Sequence, residues 1–293
     1  MAGQLKEVRT RISSVQSMQQ ITKAMKMVSA AKFRRAQDAI LQMRPYARKL
    51  QEMLSNIVSN TEVDSGVQLA EERPVENVLL IVLTSDRGLA GAFNANTIKL
   101  TKSLIQEKYA TQFEKGNVTI WNMGKKGYES LTKAGYKTVD TYKDIFLHLN
   151  FENAQKASQE AMEAFVNKEF DVVELVYAQF KNAATQIFSV ERFLPIPKLE
   201  KKDEKLKADF IFDPEKESLI TELMPKILNT QLYKAVLDSN ASEHGARMTS
   251  MDKASENADE MLRSLKLSYN RARQAAITTE LTEIVSGAAA LNE

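Results

Sequence analysis

Cysteine is absent from this chain of 293 residues. Its absence excludes disulfides, thiolate metal ligands and a cysteine nucleophile, and fits a reducing compartment. Histidine is scarce: His148 and His244 stand far apart, whereas a metal centre needs clustered ligands. Ten glycines and six prolines leave room for long uninterrupted elements. Aromatic residues make up only 7%, while Ala, Leu, Met, Lys, Glu and Gln abound, a mixture that favours helix. No long apolar run exists. The longest, Val78 to Leu83, falls far short of a membrane span. The N-terminus lacks the apolar core of a secretory signal. It is amphipathic and basic, as a mitochondrial leader is, but its heptad pattern runs unbroken into the body, so a mature, soluble N-terminus is expected. With 43% hydrophobic residues, the chain has material for one large domain or two modest ones.

What is present is unevenly placed. The net charge is +2, yet residues 1–50 carry five Lys and six Arg against Glu7 and Asp38, a local +9 that leaves −7 on the rest. Such a split implies an acidic partner for the N-terminal segment. The same segment follows a 3-4 apolar spacing from Leu5 through Val8, Ile12 and Val15, then from Phe33 through Ala36, Ile40, Met43, Ala47 and Leu50 to Leu54 and Ile57. This is a coiled-coil seam sustained over about seven heptads. Its polar positions are consecutive: Gln19, Thr22, Lys26 and Ser29. There an apolar stripe at Met18, Ile21, Met25 and Val28 predicts a local rotation of the face. Pro45 is a site for a kink. A helix of about 53 residues would be ~80 Å long.

The C-terminal segment mirrors the first. From Met251 a 3-4 spacing gives Ala254, Ala258, Met261, Leu265, Ser268, Ala272, Ala275, Thr279 and Thr282, small residues that let helix backbones approach closely. Upstream, Leu219, Ile220, Leu223, Met224, Ile227, Leu228, Leu232, Val236 and Leu237 form a broader apolar face for packing on a globular head. Gly245 is a weak point between the two parts.

Between these helices, strand and helix patterns alternate. Strands are expected at 78–84, 118–122, 137–141, 172–180 and 185–193, and helices at 96–109, 126–134 and 152–168. Residues 195–207 read as a polar loop, 208–212 as a final edge strand, and Pro214 as the start of the last helix. Alternation of this kind predicts a mostly parallel sheet with helices on its faces. The expected fold is a long antiparallel coiled coil of the N- and C-terminal helices (1–60 and 214–293) with an inserted Rossmann-like α/β domain (75–213).

Three features invite a functional reading. Residues 85–91 (SDRGLAG) lie between a strand and a helix, where phosphate loops sit, but no Gly-Lys-Ser/Thr ending and no G-x-G-x-x-G accompanies them. A tight turn with glycines for backbone reasons is the plainer reading; Asp86 and Arg87 could pair locally or with a partner, beside Gly88. Lys23, Lys26, Lys32, Arg34 and Arg35 form a basic patch. It lacks the aromatic interleaving of a nucleic-acid surface, which leaves a solvated or partner-facing helix. Arg273 and Gln274 neighbour the C-terminal seam and could donate hydrogen bonds to an encircling partner, Arg being suited to carboxylates. No catalytic constellation, metal cluster or cofactor motif stands out.

Residues 20–37 (QITKAMKMVSAAKFRRAQ), 85–94 (SDRGLAGAFN), 246–251 (ARMTSM), 269–278 (YNRARQAAIT) and 283–290 (EIVSGAAA) together resemble the gamma subunit of F-type ATP synthase. The motifs cover both ends and the middle in the right order; residues 115–213 carry pattern only. The resemblance implies a non-catalytic subunit that binds no cofactor. The chain would be an axle, one copy per complex, inside a ring of three alpha and three beta subunits. Its head would sit with epsilon on the c-ring, at the cytoplasmic face of a bacterial inner membrane. It further implies that Arg247, Arg273 and Gln274 contact loops of beta. Thr278 occupies another coupling-sensitive position. Met25, flanked by Lys23 and Lys26, faces an acidic lever segment of beta. No cysteine pair follows the strand near Lys115, so the thiol switch of the chloroplast form is missing, and Phe33 stands where methionine or leucine is common. An axle turning in a sleeve should also avoid large apolar anchors on its outer face. Two other classes remain open: a self-associating coiled-coil scaffold, and an α/β enzyme with helical arms that binds a small molecule near 85–94.

Overall fold

A computed structural model of the chain describes residues 2–59, 68–196 and 216–290. Two compact units divide it: residues 1–30 with 248–293, and residues 31–247. Helix α1 (Ala2–Ser59) and helix α6 (Lys216–Ala290) contribute to both. Among the described residues no helix is long and apolar enough to cross a membrane.

The first unit is an antiparallel helix pair. Gln19 donates to Asp259, the Thr22 and Ser255 hydroxyls meet at 2.8 Å, and Lys26 pairs with Asp252. As the number rises on α1 it falls on α6. The 3-4 spacing on α1 holds throughout: Leu5, Val8, Ile12 and Val15 are half-buried, and so are Gln19 and Lys26, while Thr22 and Ser29 are buried. The expected rotation of the apolar face does not occur. Met18, Ile21 and Val28 are 63%, 59% and 58% exposed. The polar residues keep the seam because the facing helix supplies polar partners to Gln19, Thr22 and Lys26, which one helix read alone cannot reveal.

On α6 the expected spacing is right at Met251, Ala258, Leu265, Ala272 and Thr279 and one residue early at the positions between them. The less exposed positions are Met251, Ser255, Ala258, Leu262, Leu265, Tyr269, Ala272, Ala276 and Thr279; the expected Met261, Ser268, Ala275 and Thr282 are exposed. Small residues fill both phases, so composition gave no contrast. The structure prefers the phase in which Ser255 reaches Thr22 and Leu262 is buried to 7% exposure.

In the second unit, a five-stranded sheet has the order β3-β2-β1-β4-β5. Its strands are β1 (Val78–Leu83), β2 (Val118–Met123), β3 (Thr138–Val139), β4 (Val172–Phe180) and β5 (Gln186–Leu194). β1, β2, β3 and β4 are parallel, and β5 returns antiparallel on β4. Its helices are α2 (Phe93–Lys108), α3 (Ala110–Glu114), α4 (Lys125–Lys133) and α5 (Phe151–Val166).

Strand alternation sorts the core. Val78, Leu80 and Val82 face Ile105, Tyr109 and Leu131. Leu79, Ile81 and Leu83 join Phe165 of α5 and Leu228, Leu232 and Val236 of α6. Both faces are covered, which is why β1 reads as a continuous apolar run. Met224, Ile227, Leu228, Leu232, Val236 and Leu237 are buried, so this part of α6 packs on the sheet as its broad apolar face predicts. Phe33, Ala36 and Ile40 of α1 pack with Phe180, Leu237 and Ala241. Arg44 reaches the Phe180 carbonyl at 2.5 Å and the buried Asp238 at 3.0 Å.

Gly245 is not a weak point. α6 runs through it, and a Cβ there would lie 3.0 Å from the Ala183 carbonyl oxygen and 3.3 Å from the Phe33 ring, so glycine permits a close approach. The helix also runs through Pro45 on α1. The expected edge strand at 208–212 and the helix start at Pro214 lie outside the described residues, as do the side chains of Leu54, Ile57, Leu219 and Ile220.

Candidate partner-contact sites

In the helical unit, Arg273, Gln274 and Thr278 are exposed on α6, and Lys23 is exposed on α1. Thr278 donates its hydroxyl to the Gln274 carbonyl at 3.0 Å, a local bond that leaves the side-chain amide and guanidinium beside it turned to solvent. Met25 is half-buried. Lys26 lies across the seam against Asp252, both about two-fifths exposed, a pair of the kind that contributes at most ~1 kcal/mol.

The outer face does carry large apolar side chains, against expectation: Ile277, Leu281, Ile284 and Val285 are 48%, 58%, 67% and 67% exposed. The reason lies in register. Continuing the pairing of Thr22 with Ser255 toward the start of α1 brings that start level with about Ala276. Residues 281–288 are all exposed, and among the described residues no second helix runs beside them.

In the α/β unit, residues 85–91 form a pinned turn. The Ser85 amide donates to Asn94 Oδ1 at 2.9 Å, and the Asn94 amide donates back to Ser85 Oγ at 2.7 Å. Ser85 Oγ donates to the Arg87 carbonyl at 2.6 Å. Asp86 accepts from the Lys125 amide at 3.2 Å; partial burial pushes its carboxyl above the ordinary range, against the pull of that amide and the Lys125 ammonium. Leu89 and Gly91 take left-handed backbone, φ 66° and 58°. Ala90 and Phe93 are buried with Ala178 and Ala246.

The amides of a phosphate loop would have to be free. Here the Ser85 amide is held by Asn94 Oδ1 at 2.9 Å and that of Phe93 by the Ala90 carbonyl at 3.2 Å. The tight-turn reading fits the geometry.

Arg247 differs from the other expected contacts. It is 8% exposed, and its guanidinium pairs with Glu243 and donates to the carbonyls of Arg87 at 2.9 Å and Gly88 at 3.3 Å. The structure thus brings Arg247 together with Arg87 and Gly88, and leaves Arg273, Gln274 and Thr278 in the other unit. Burial pushes the Glu243 carboxyl up while Arg247 pulls it down. His244, at 3.4 Å from the guanidinium, is driven down to about 4 by burial, with Arg247 and Lys32 adding to the effect. His244 was read from the sequence only as a lone histidine, and Glu243 was not singled out, although Glu243 stands four residues before Arg247, the spacing of a helical ion pair. Among the described residues no group of acidic or histidine side chains could hold a metal ion.

The chain matches the family model of ATP synthase over residues 4–291. It is 54% identical to the ATP synthase gamma chain of Cytophaga hutchinsonii, over 98% of this chain and 99% of that one. It is 50% identical to the gamma chain of Christiangramia forsetii, with 98% and 99% covered, and 48% identical to that of Chlorobaculum tepidum, with 99% of each covered. A chain of the Euglena gracilis mitochondrial ATP synthase OSCP/F1/c-ring structure is similar at TM-score 0.66 and 20% identity, covering 99% of this chain and 95% of that one. A chain of the Tetrahymena thermophila mitochondrial ATP synthase central stalk and c-ring matches at TM-score 0.57 and 23% identity, covering 80% and 99%. These two likenesses concern the fold; the full-length curated relatives decide the family. On the paired terminal helices, the pinned SDRGLAG turn and those relatives together, this chain belongs to the ATP synthase gamma chain family.

Proposed function

We propose that this chain is the central rotor shaft of an F-type ATP synthase, one copy per complex. It couples rotation of a c-ring to ATP synthesis or hydrolysis at catalytic sites on the surrounding alpha3-beta3 ring, and so governs ATPase activity and proton flow without an active site of its own. The observation that carries the reading is the similarity to gamma chains over nearly the full length of both chains. The antiparallel pair of α1 and α6 supports it physically, because torque needs a stiffer element than a single helix. Beta loops are the proposed partners of Lys23, Met25, Lys26, Arg273, Gln274 and Thr278. Epsilon and the c-ring are proposed for the head. The chain is placed peripherally at the cytoplasmic face of a bacterial inner membrane, held there through those partners.

The test is affinity purification of the tagged chain from native membranes, with stoichiometry read by mass spectrometry. Three alpha and three beta copies per tagged chain are expected; a homodimer without ATPase subunits would overturn the reading and favour a scaffold. In the assembled complex, Arg273→Ala with Gln274→Ala is expected to lower ATP-driven turnover at least about tenfold, the scale of losing charge-assisted hydrogen bonds. Unchanged turnover would remove these two residues from the contact.

A further inference from the structure

We propose that Arg44 is a positioning residue, which fixes α1 on the α/β head at one defined place so that torque passes between them without slip. This rests on the rotor reading above.

The two long helices are held to the sheet by different means. α6 lays a broad apolar face on it, with Leu228, Leu232 and Val236 buried among residues of β1 and α5. α1 meets the end of β4 and the neighbouring stretch of α6 through a smaller cluster, Phe33, Ala36 and Ile40 against Phe180, Leu237 and Ala241. The Phe33 and Phe180 rings lie edge to face at 5.6 Å, and Leu50 adds an apolar contact further along. Apolar contact is non-directional. It resists separation of two surfaces more than it resists the sliding or turning of one on the other.

Arg44 supplies direction. Its guanidinium reaches the Phe180 carbonyl at 2.5 Å and the Asp238 carboxylate at 3.0 Å, and its centre lies 5.8 Å from the middle of the Phe180 ring. The Phe180 amide faces the same carboxylate at 3.4 Å. One side chain of α1 is thus tied to the last residue of β4 and to α6 at once. The Asp238 side chain is fully buried and that of Arg44 is 35% exposed. Burial pushes the Asp238 carboxyl up, while Arg44, Lys234 and the Phe180 amide pull it down.

Moving α1 along its axis by a single residue is a shift of about 1.5 Å, enough to break both bonds and leave a buried carboxylate without its nearest cation. The apolar cluster alone sets no such penalty. Torque that enters through the head is shared with α6 over a wide face, but it is shared with α1 through this node and the few side chains around it.

The experiment uses the assembled complex in vesicles and reads ATP hydrolysis, ATP-driven proton pumping and their ratio. The double variant Arg44→Met with Asp238→Asn removes the tie without stranding a buried charge. Asp238→Ala removes the anchor and leaves the Arg44 cation free to turn to solvent. Both are expected to hydrolyse ATP and to pump several-fold fewer protons per ATP than wild type. A wild-type ratio in the double variant would overturn the positioning role. So would a ratio lowered in the double variant and kept by Asp238→Ala, which would make Arg44 a direct partner contact. Hydrolysis and pumping that fall in proportion would reduce Arg44 to a purely structural residue and overturn the proposal too. Should the double variant fail to assemble, Asp238→Ala decides alone. Failure of the wild-type chain to assemble with alpha and beta subunits would instead overturn the rotor reading.

Discussion

Gly88, inside the 85–91 turn, and Gly124, between β2 and α4, answer to different physics. Gly124 has φ 115°, and a Cβ there would lie 2.2 Å from the Thr84 carbonyl oxygen; at Gly88 a Cβ would meet nothing within 4 Å. Gly124→Ala should therefore destabilise the chain by about 2 kcal/mol or more, and Gly88→Ala by less than about 0.5 kcal/mol, read as shifts in the denaturant midpoint. The glycine that looked like part of a motif is thus dispensable to the turn, whereas the one after β2 is not. His244 supplies a second contrast. Its pKa is about 4 in the folded chain against 6.5 ordinarily, so between those values the unfolded chain binds the extra proton. Stability from this group is complete above pH 6.5 and is lost as pH falls toward 4, by up to about 1.4 kcal/mol per pH unit. Glu243 and Asp238, pushed upward by burial, act with the opposite sign: their contribution is present at low pH and is lost as pH rises past the ordinary carboxylate range. The imidazole is isolated by subtracting His244→Gln from wild type in unfolding measurements at pH 7 and pH 5. The difference should shrink on acidification, and a constant difference would contradict the assignment. None of this was legible in the sequence, because the environment of His244 is made by Lys32, more than two hundred positions upstream, as well as by its own helix.

The elements were more legible than their facing. β1, β2 and β4 were readable because each is an apolar stretch bounded by polar turns, and their helices because the period changes between them. The short helix α3 and the 3-10 turn at Ile145–His148 escaped, since neither is long enough to show a period. The polar layer from Gln19 to Ser29 misled, because hydrophobicity assigns a seam only when the partner is apolar. Register on α6 is now a measurable matter. Leu262 is 7% exposed and Met261 is 54% exposed. Leu262→Ala should cost about 2–3 kcal/mol of stability by cavity formation, and Met261→Ala less than about 0.5 kcal/mol, followed by helical circular dichroism on heating. Equal effects would restore the phase expected from the sequence. The partner-contact residues were legible only through family motifs: Arg273 and Gln274 are exposed as expected, whereas the burial of Arg247 depends on carbonyls that no pattern of side chains announces.

For the chain as a whole, charge is the property that composition conveys best. A net charge of +2 conceals +9 on the first fifty residues, so association with an acidic partner should be steered electrostatically and screened by salt. Raising ionic strength from about 0.02 M to 0.5 M should slow assembly with isolated alpha and beta subunits by about tenfold or more, measured by stopped-flow fluorescence; a salt-independent rate would mean that the basic helix is not what meets the partner first. The pairing of Thr22 with Ser255 carries one more consequence. The two residues are 233 positions apart, and synthesis at 5–20 residues per second puts roughly 10–50 s between their emergence from the ribosome. For that interval α1 has no seam to close, and its apolar seam positions from Leu5 to Val15 must wait in the company of whatever else the cell provides. α1 is made long before its mate, so the growing chain carries an open seam on the very element that later makes it stiff.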